Sequence, residues 1–458
     1  MRKAAVLFKF YGGEISPFDE SALECALLAG LETTVFALAP ESALEKLRYY
    51  TRLGVHAVLV SDPAFAGSDT LVTARVLARA LREDEFDLVL CGRQSLNGDT
   101  AQVPAEVAAL LGYDFIPYVT GFSVTNPVTR LGARTVRGKT VMSLERIKVL
   151  RPASLFSRAE EVRVLSCARL GFSPEEVGSA GSPTRVIKTY EREKPRKRCV
   201  FIPPEQLLRV LRESLERQET PTAKRVTDAQ KCQLAHYVGQ SVRPQAENIA
   251  KRVLEIDTGT NLSIKEKAAR VIAYCRENPV SVLLMPATPE YRAVAPLAAA
   301  GLGIGLCADC TALRIENDRL VMTRPALSGS TYAEIVSRSA IQAATVRTRS
   351  QSGELVFGIG YGAKDFIKEI TDFAAVCGAE VVASRKMVDA GRMPYETQVG
   401  LTGRNIAPKV YVAFGVSGAV QHMVGVENAQ TIIAVNSDKD APIFGFSDYG
   451  VLLNGRTV

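Results

Sequence analysis

Histidine is scarce in this chain. Three occur in 458 residues, at His56, His236 and His422, far apart. The nine cysteines are scattered and odd in number, and one close pair exists, Cys307-Ala308-Asp309-Cys310. A CxxC with no second pair and no histidine nearby reads as two thiols near a strand end, so no metal site is expected. Long apolar runs are also missing. The best candidate, Ala295 to Ala308, spans 14 residues, is rich in Gly and Ala, and reads as a core helix with its following turn. No membrane insertion is expected from it. At the start, Met1 to Phe8 looks briefly like a signal peptide, but Lys9 interrupts it, so a first β-strand and a cytoplasmic protein are expected. Aromatics make up 7%, and none interleaves with the basic run Arg192-Glu193-Lys194-Pro195-Arg196-Lys197-Arg198, which carries much of the net charge of +7. That run reads as a solvated linker rather than a nucleic-acid surface. Nor is there a candidate nucleophile or acid–base pair for substrate turnover.

What is present is a globular composition, 47% hydrophobic and 23% charged, and length for roughly three domains. Residues 4–8, 34–38, 57–60 and 87–91 read as strands, with helical spacing over 21–30, 41–52 and 69–81. This alternation predicts an α/β fold of doubly wound, mostly parallel sheets. Residues 201–227 read as a linker containing an amphipathic helix with Leu207, Leu208, Val210, Leu211 and Leu215 on one face. A second αβ pattern follows over 228–350, with a strand at 280–285 and a small-residue helix opened by Pro296. It echoes the strand at 87–91 and the helix after Pro104, which suggests an internal duplication. A third unit, 351–458, has strands at 354–359, 379–383, 410–414 and 431–435.

In that third unit, six clusters carry polar chemistry. They are Gly358-Ile359-Gly360-Tyr361-Gly362, Ser384-Arg385, Gln398-Val399-Gly400-Leu401-Thr402-Gly403, Gly415-Val416-Ser417-Gly418-Ala419-Val420-Gln421-His422, Asn436, and Asp448-Tyr449-Gly450. Five of the six fall just past a predicted strand. A parallel sheet would bring such positions to one rim. The glycine turn alone is weak, since such turns are common at strand ends, and a buried His422 alone is most simply a core histidine. Together they offer phosphate donors, a fixed cation, a hydroxyl, an imidazole and a carboxylate, the set that flavin adenine dinucleotide uses.

At these residues the chain resembles the electron-transfer flavoproteins. Residues 381–391 (VVASRKMVDAG), 398–403 (QVGLTG), 407–425 (APKVYVAFGVSGAVQHMVG) and 433–449 are similar to the FAD domain of the alpha subunit. The resemblance implies FAD with Ser384 and Arg385 near the flavin, Thr402 close to N5, and 417–421 on the phosphates and ribityl chain. It puts His422 at the flavin O2, and Asn436 and Asp448 near the adenosine. Residues 306–311 and 322–326 resemble the alpha subunit's first domain, in the version found in bifurcating members. Residues 1–200 resemble the beta subunit: Ser16-Pro17-Phe18-Asp19 and 92–103 (GRQSLNGDTAQV) match its nucleotide loops. A second nucleotide, AMP or a second FAD, is then implied at Leu7, Ser16, Pro17, Phe18, Asp19, Gly92, Arg93, Gln94, Asn97, Asp99, Thr100, Gln102 and Val103, with NAD approaching it in bifurcating members. The first domains would have the adenine-nucleotide alpha hydrolase-like fold, and the last would be Rossmann-like.

The implied role is an electron carrier built as a beta–alpha fusion. Its partners would be an acyl-CoA-type dehydrogenase of fatty acid β-oxidation, or another flavoprotein or iron–sulfur partner, with a homodimer or a separate subunit completing the assembly. The rival reading is a nucleotide-binding regulatory or scaffold protein. Departures from the family pattern bear on that choice. Tyr361 replaces an arginine of the glycine turn, Leu401 replaces a glutamine, and residues 226–279 show no recognisable family pattern.

Overall fold

The computed structural model describes residues 2–11, 13–93, 95, 98, 100–125, 128–131, 134–136, 138–144, 159–191, 198–217, 231–326, 331–348, 352–400 and 403–453. The chain folds into two compact units. The first comprises Met1–Thr189, Val226–Leu327 and Ala333–Arg347; the second comprises Tyr190–Arg225, Ser328–Tyr332 and Thr348–Val458.

The first unit holds two parallel sheets. Lys3–Phe8 (β1) is buried at every position after Lys3, which suits a central strand covered on both faces. Pro17–Leu28 (α1), Glu32–Leu38 (β2), Leu44–Thr51 (α2), His56–Val60 (β3), Thr70–Leu81 (α3), Leu88–Gly92 (β4), Val103–Leu111 (α4), Asp114–Val119 (β5), Thr140–Leu144 (β6) and Arg163–Leu165 (β7) complete the first layer set. The strand order is β7-β3-β2-β1-β4-β6-β5, and every pairing is parallel. The chain winds outward from β1 to β3 and then returns to place β4 on the other side of β1. The crevice between the loops after β1 and β4 is therefore a topological switch point.

The second sheet uses Cys232–Tyr237 (β8), Arg243–Ile249 (α5), Ala250–Glu255 (β9), Ile264–Glu277 (α6), Val282–Pro286 (β10), Tyr291–Leu302 (α7), Leu306–Cys310 (β11) and Gln342–Val346 (β14) in the order β9-β8-β10-β14-β11. Between β11 and β14 lies an antiparallel pair, Ala312–Glu316 (β12) and Arg319–Ala326 (β13). Ser263 and Glu266 form a capping box that starts α6. Helices α4 and α7 both stop at a left-handed glycine, Gly112 (φ +73°) and Gly303 (φ +68°), so the strand-helix echo in the sequence has matching local structure. One expectation differs. Pro296 does not open α7 but lies inside it, one and a half turns from its start. The Cys307–Cys310 pair lies in β11 with Cys310 as its last residue and both thiols buried, in keeping with two thiols near a strand end.

The second unit is a single six-stranded parallel sheet. Its elements are Leu355–Ile359 (β15), Ile367–Cys377 (α8), Glu380–Ala383 (β16), Arg385–Asp389 (α9), Val410–Phe414 (β17), Val420–Met423 (α10), Thr431–Asn436 (β18) and Tyr449–Leu452 (β19). The order is β19-β18-β17-β15-β16, extended beyond β19 by the short strand Val200–Phe201. Phe357, Phe373 and Phe414 pack with ring centroids 5.2–5.3 Å apart in one core layer. Val210 and Leu211 of the helix Leu207–Glu216 join that core, whereas Leu208, expected on the same face, is 56% exposed. The basic run at 192–197 lies outside the described residues.

Candidate functional site

Two places bring together residues singled out in the sequence. The first is the carboxyl rim of the second unit's sheet. The register puts Ile359 beside both Ala383 and Phe414, and Phe414 beside Val435. The next residue of each strand continues the ladder: Gly360 N donates to Phe414 O, Ser384 N to Ile359 O, and Gly415 N to Val435 O. Gly360, Ser384, Gly415 and Asn436 thus share one rim. Strand β16 is added on one side of β15 and β17 on the other, so a switch point lies between Gly360 and Gly415.

His422 sits in α10 on this rim. It is buried, and its Nε2 lies 2.7 Å from the Tyr411 hydroxyl of β17. Nδ1 has no hydrogen-bond partner. Burial pushes the imidazole pKa down to about 4, against the opposing effect of the Val399 backbone, so the ring is neutral at pH 7. A neutral imidazole carries one proton. If Tyr411 donates to Nε2, the proton stays on Nδ1, which makes no hydrogen bond of good geometry although the Val399 backbone lies near enough to the ring to raise its pKa. Burial raises the Tyr411 pKa well above its usual value, which keeps that hydroxyl protonated. Ser384 Oγ is a second buried polar atom without a partner.

Other groups frame these two. Val399 N donates to Ala383 O, tying the 398–400 segment to the end of β16. A Cβ on Gly400 would fall 2.8 Å from Gln421 O and 3.3 Å from His422 Cα, so that segment presses directly on α10. Ser417, Ala419 and Gln421 are exposed and Val420 half-buried, while Gly418 (φ +87°) packs on the Ile443 backbone. Arg385 opens α9 with its Nε 3.3 Å from Asp389. The Tyr361 ring is bracketed by Lys386 Nζ at 4.3 Å and Lys364 Nζ at 5.0 Å from its centroid, which places two cations beside the glycine turn. Asn436 supports the loop: its Nδ2 donates to Val416 O and its Oδ1 accepts from Asp438 N. Leu401 and Thr402 lie outside the described residues.

Two members of the expected rim are elsewhere. Asp448 accepts from Ile432 N at the start of β18, and Tyr449 pairs with Ile433. Both therefore lie toward the amino ends of the strands, the far edge of the sheet from Asn436. The strand after Asp448 had no clear apolar signature, so the residue looked like a strand-end position when it is a strand-start one. The glycine turn also has a plainer cause. A Cβ on Gly360 or Gly415 would collide with the backbone of the opposite loop, so these glycines permit loop-on-loop packing.

Tyr411 was not singled out in the sequence reading, and Gly358, taken there as part of the glycine turn, has another role. Tyr411 is fully buried beside His422, and Gly358 of β15 leaves the space that the Tyr411 hydroxyl fills. A tyrosine amid an otherwise apolar buried strand, eleven residues before the histidine, was the available signal.

The second place is a cavity of 440 Å³ in the first unit, at the switch point after β1 and β4. Leu7, Asp19, Gly92, Arg93, Thr100, Gln102 and Val103 all line it. Asp19 accepts from Lys9 N (2.8 Å) and Gly92 N (2.9 Å), joining the ends of the two strands. Burial raises its pKa to about 7, opposed by those two hydrogen bonds. The Arg93 guanidinium lies 5.1 Å over the Tyr118 ring. Ser16, Pro17 and Phe18, expected in the same site, are not among the lining residues. Phe18 is core, and a Cβ on Gly92 would fall 2.6 Å from it. Gln94, Asn97 and Asp99 lie outside the described residues. From the other half of the unit come Leu306, Cys307, Ala308, Arg324 and Ile335.

These features define an α/β protein of parallel sheets whose polar groups gather at the carboxyl ends of the strands. Comparison with known proteins places it further. The chain belongs to the electron transfer flavoprotein family: the electron transfer flavoprotein domain matches residues 6–151 and 223–363, more than half of the chain. The electron transfer flavoprotein FAD-binding domain matches residues 350–427. The second matched segment takes in 226–279, where β8, α5, β9 and α6 form. The electron transfer flavoprotein subunit alpha of Thermoanaerobacterium thermosaccharolyticum is 33% identical over 240 residues, 42% of this chain and 73% of that one. The subunit alpha of Megasphaera elsdenii is 32% identical over 274 residues, 48% of this chain and 81% of the relative. Protein FixB of Azotobacter vinelandii is 36% identical over 226 residues, and there the match covers 39% of this chain and 63% of the relative. The chain is thus alpha-subunit-like, with a family role in electron transfer and FAD as the associated group. No described helix is long and apolar enough to cross a membrane.

Proposed function

We propose that the chain is an electron-carrying flavoprotein in which a beta-type half, residues 6–151, and an alpha-type half, from residue 223 onward, are joined in one polypeptide. FAD would be held at the carboxyl rim of the second unit, and when bound it supplies reversible uptake and release of electrons. The observation that carries this reading is the pair of buried, partnerless polar atoms, Ser384 Oγ and His422 Nδ1, on the rim of a segment matched by the FAD-binding domain. Buried polar groups are normally satisfied, so two orphans on one rim fit an absent polar ligand. There, His422 offers a neutral N–H donor whose tautomer Tyr411 sets, and Ser384 offers a hydroxyl. Arg385, Lys364 and Lys386 supply positive potential for a phosphate-bearing group that gains negative charge. Ser417 and Gln421 are exposed on the loop that would meet it.

The first unit's cavity supports a second nucleotide, AMP or another FAD, with NAD as an approaching substrate if the second group is a flavin. Redox partners would be acyl-CoA-type dehydrogenases or iron–sulfur proteins. Visible absorption tests the first claim: purified chain incubated with FAD and desalted should stay yellow, with about one flavin per chain in the second unit. Colourless protein that takes up only AMP would establish the regulatory alternative instead. Anaerobic NADH titration separates the versions, since bleaching without an added dehydrogenase requires NADH access to a flavin.

A further inference from the structure

Three arginines converge on one carboxylate inside the first unit. Asp309 of β11 is buried, with a left-handed backbone at φ +58°. Arg292 Nε of α7 lies 3.1 Å from its Oδ1, and Arg347 Nη2 lies 3.8 Å from its Oδ2. Burial alone would raise the Asp309 pKa, but the fields of Arg292, Arg347 and Arg324 outweigh it and hold the carboxyl below its ordinary range. Both oxygens of Asp309 are thus taken by two of the three cations.

Arg324 of β13 is the third. It is 6% exposed, and its Nε is buried without a hydrogen-bond partner. Among the described residues no carboxylate comes within ion-pair distance of it, and its side chain lines the 440 Å³ cavity. A guanidinium so deeply buried needs a counter-charge, because an unpaired buried ion is costly. Among the described residues, the acids that share the cavity wall are already engaged. Asp69 caps α3 through Val72 N and accepts from Thr184 N and Oγ1, and Asp19 is held by Lys9 N and Gly92 N. The counter-charge is therefore expected from outside the chain. A guanidinium fork suits a phosphate, which it can grip at two oxygens, and the volume is that of a small-ligand site.

We infer that Arg324 binds the phosphate of the ligand that occupies this cavity, so that the alpha-type half contributes a recognition residue to the site formed on the beta-type sheet. This rests on reading the cavity as a nucleotide site. The shared chemistry is a phosphate dianion, carried by a nucleotide or free in solution.

The test is equilibrium dialysis of the full chain, wild type and Arg324→Gln, against AMP, adenosine and inorganic phosphate. Wild type should hold AMP more tightly than adenosine, and Arg324→Gln should weaken AMP by about tenfold or more while leaving adenosine unchanged. Arg324-dependent binding of phosphate with no nucleotide binding would keep the inference and remove the nucleotide reading. Unchanged AMP affinity in the variant would overturn the inference and leave the nucleotide reading standing. Wild type that binds neither AMP nor phosphate overturns both. Should the variant lose the far-UV spectrum of the wild type, phenylglyoxal modification of the wild type decides, read by peptide mass spectrometry. AMP or phosphate should slow modification of Arg324, and no protection by either would overturn the inference.

Discussion

At the scale of single residues, the burial of ionisable groups controls what each can do. His422 is neutral because burial lowers its pKa to about 4, so what it would offer the proposed flavin site is a directed N–H rather than a charge. His422→Ala should therefore make the potential of bound FAD more negative, by roughly 1 kcal/mol or on the order of 40 mV for one electron, the worth of one hydrogen bond. Tyr411→Phe should move it the same way by less, since the donor remains but loses the partner that sets its tautomer. Spectroelectrochemical titration reads both, and an unmoved potential in His422→Ala would remove that residue from the site. Glu106 of α4 tells a similar story in the first unit. Gln102 Nε2 donates to Leu306 O, which turns Gln102 Oε1 toward the Thr70 hydroxyl at 2.9 Å. The same hydroxyl lies 3.0 Å from Glu106 Oε1. Burial raises the Glu106 pKa to about 8, against the opposing effect of the Thr70 hydrogen bond, so the carboxyl holds its proton at pH 7. Folded Glu106 keeps its proton up to about pH 8, while its ordinary value is 4.5. Folding takes up a proton between those values, and this contribution to stability falls as pH rises through the window; Asp19, raised to about 7, acts in the same direction. Glu106→Gln keeps a donor and removes the titration, so its urea midpoint should exceed wild type at pH 8 by the equivalent of a few kcal/mol. Parallel pH–stability curves for the two proteins would refute this.

At the scale of elements, the strands and helices were largely legible because their signals are local. Val410–Phe414 falls where an apolar β-branched run predicts it, and Thr431–Asn436 extends the expected strand by one residue. Helix α7 was misread at its start because Pro usually begins a helix, whereas here the small residues around Pro296 carry it in the interior. The rim came through for Gly360, Ser384 and Gly415, each one step past a strand with a clear pattern, and for Asn436, the last residue of its strand. It failed for Asp448, because which end of a strand a residue occupies depends on where the strand starts. Gly358 shows a constraint no local pattern carries: its missing side chain is the space for Tyr411. Gly358→Ala should lower the second unit's stability by about 1–3 kcal/mol through overpacking and push Tyr411 away from His422. Thermal melts followed by the environment of the buried tyrosine would show it, and an unchanged melting temperature would mean that the strand yields freely.

At the scale of the whole molecule, the sequence by itself determined the α/β class, the parallel sheets and the family, because periodicity, glycine caps and motif wording are written in neighbouring residues. It also named His422 and Ser384, since both follow strands whose ends it could locate. Only the tertiary structure decided which polar atoms are left without partners, that Tyr411 holds His422, and that Arg324 and Gly92 line one cavity although more than 200 residues separate them. Those facts depend on which buried groups meet after the chain has closed on itself. Desolvation and pairing are properties of that enclosure, and no stretch of sequence contains them.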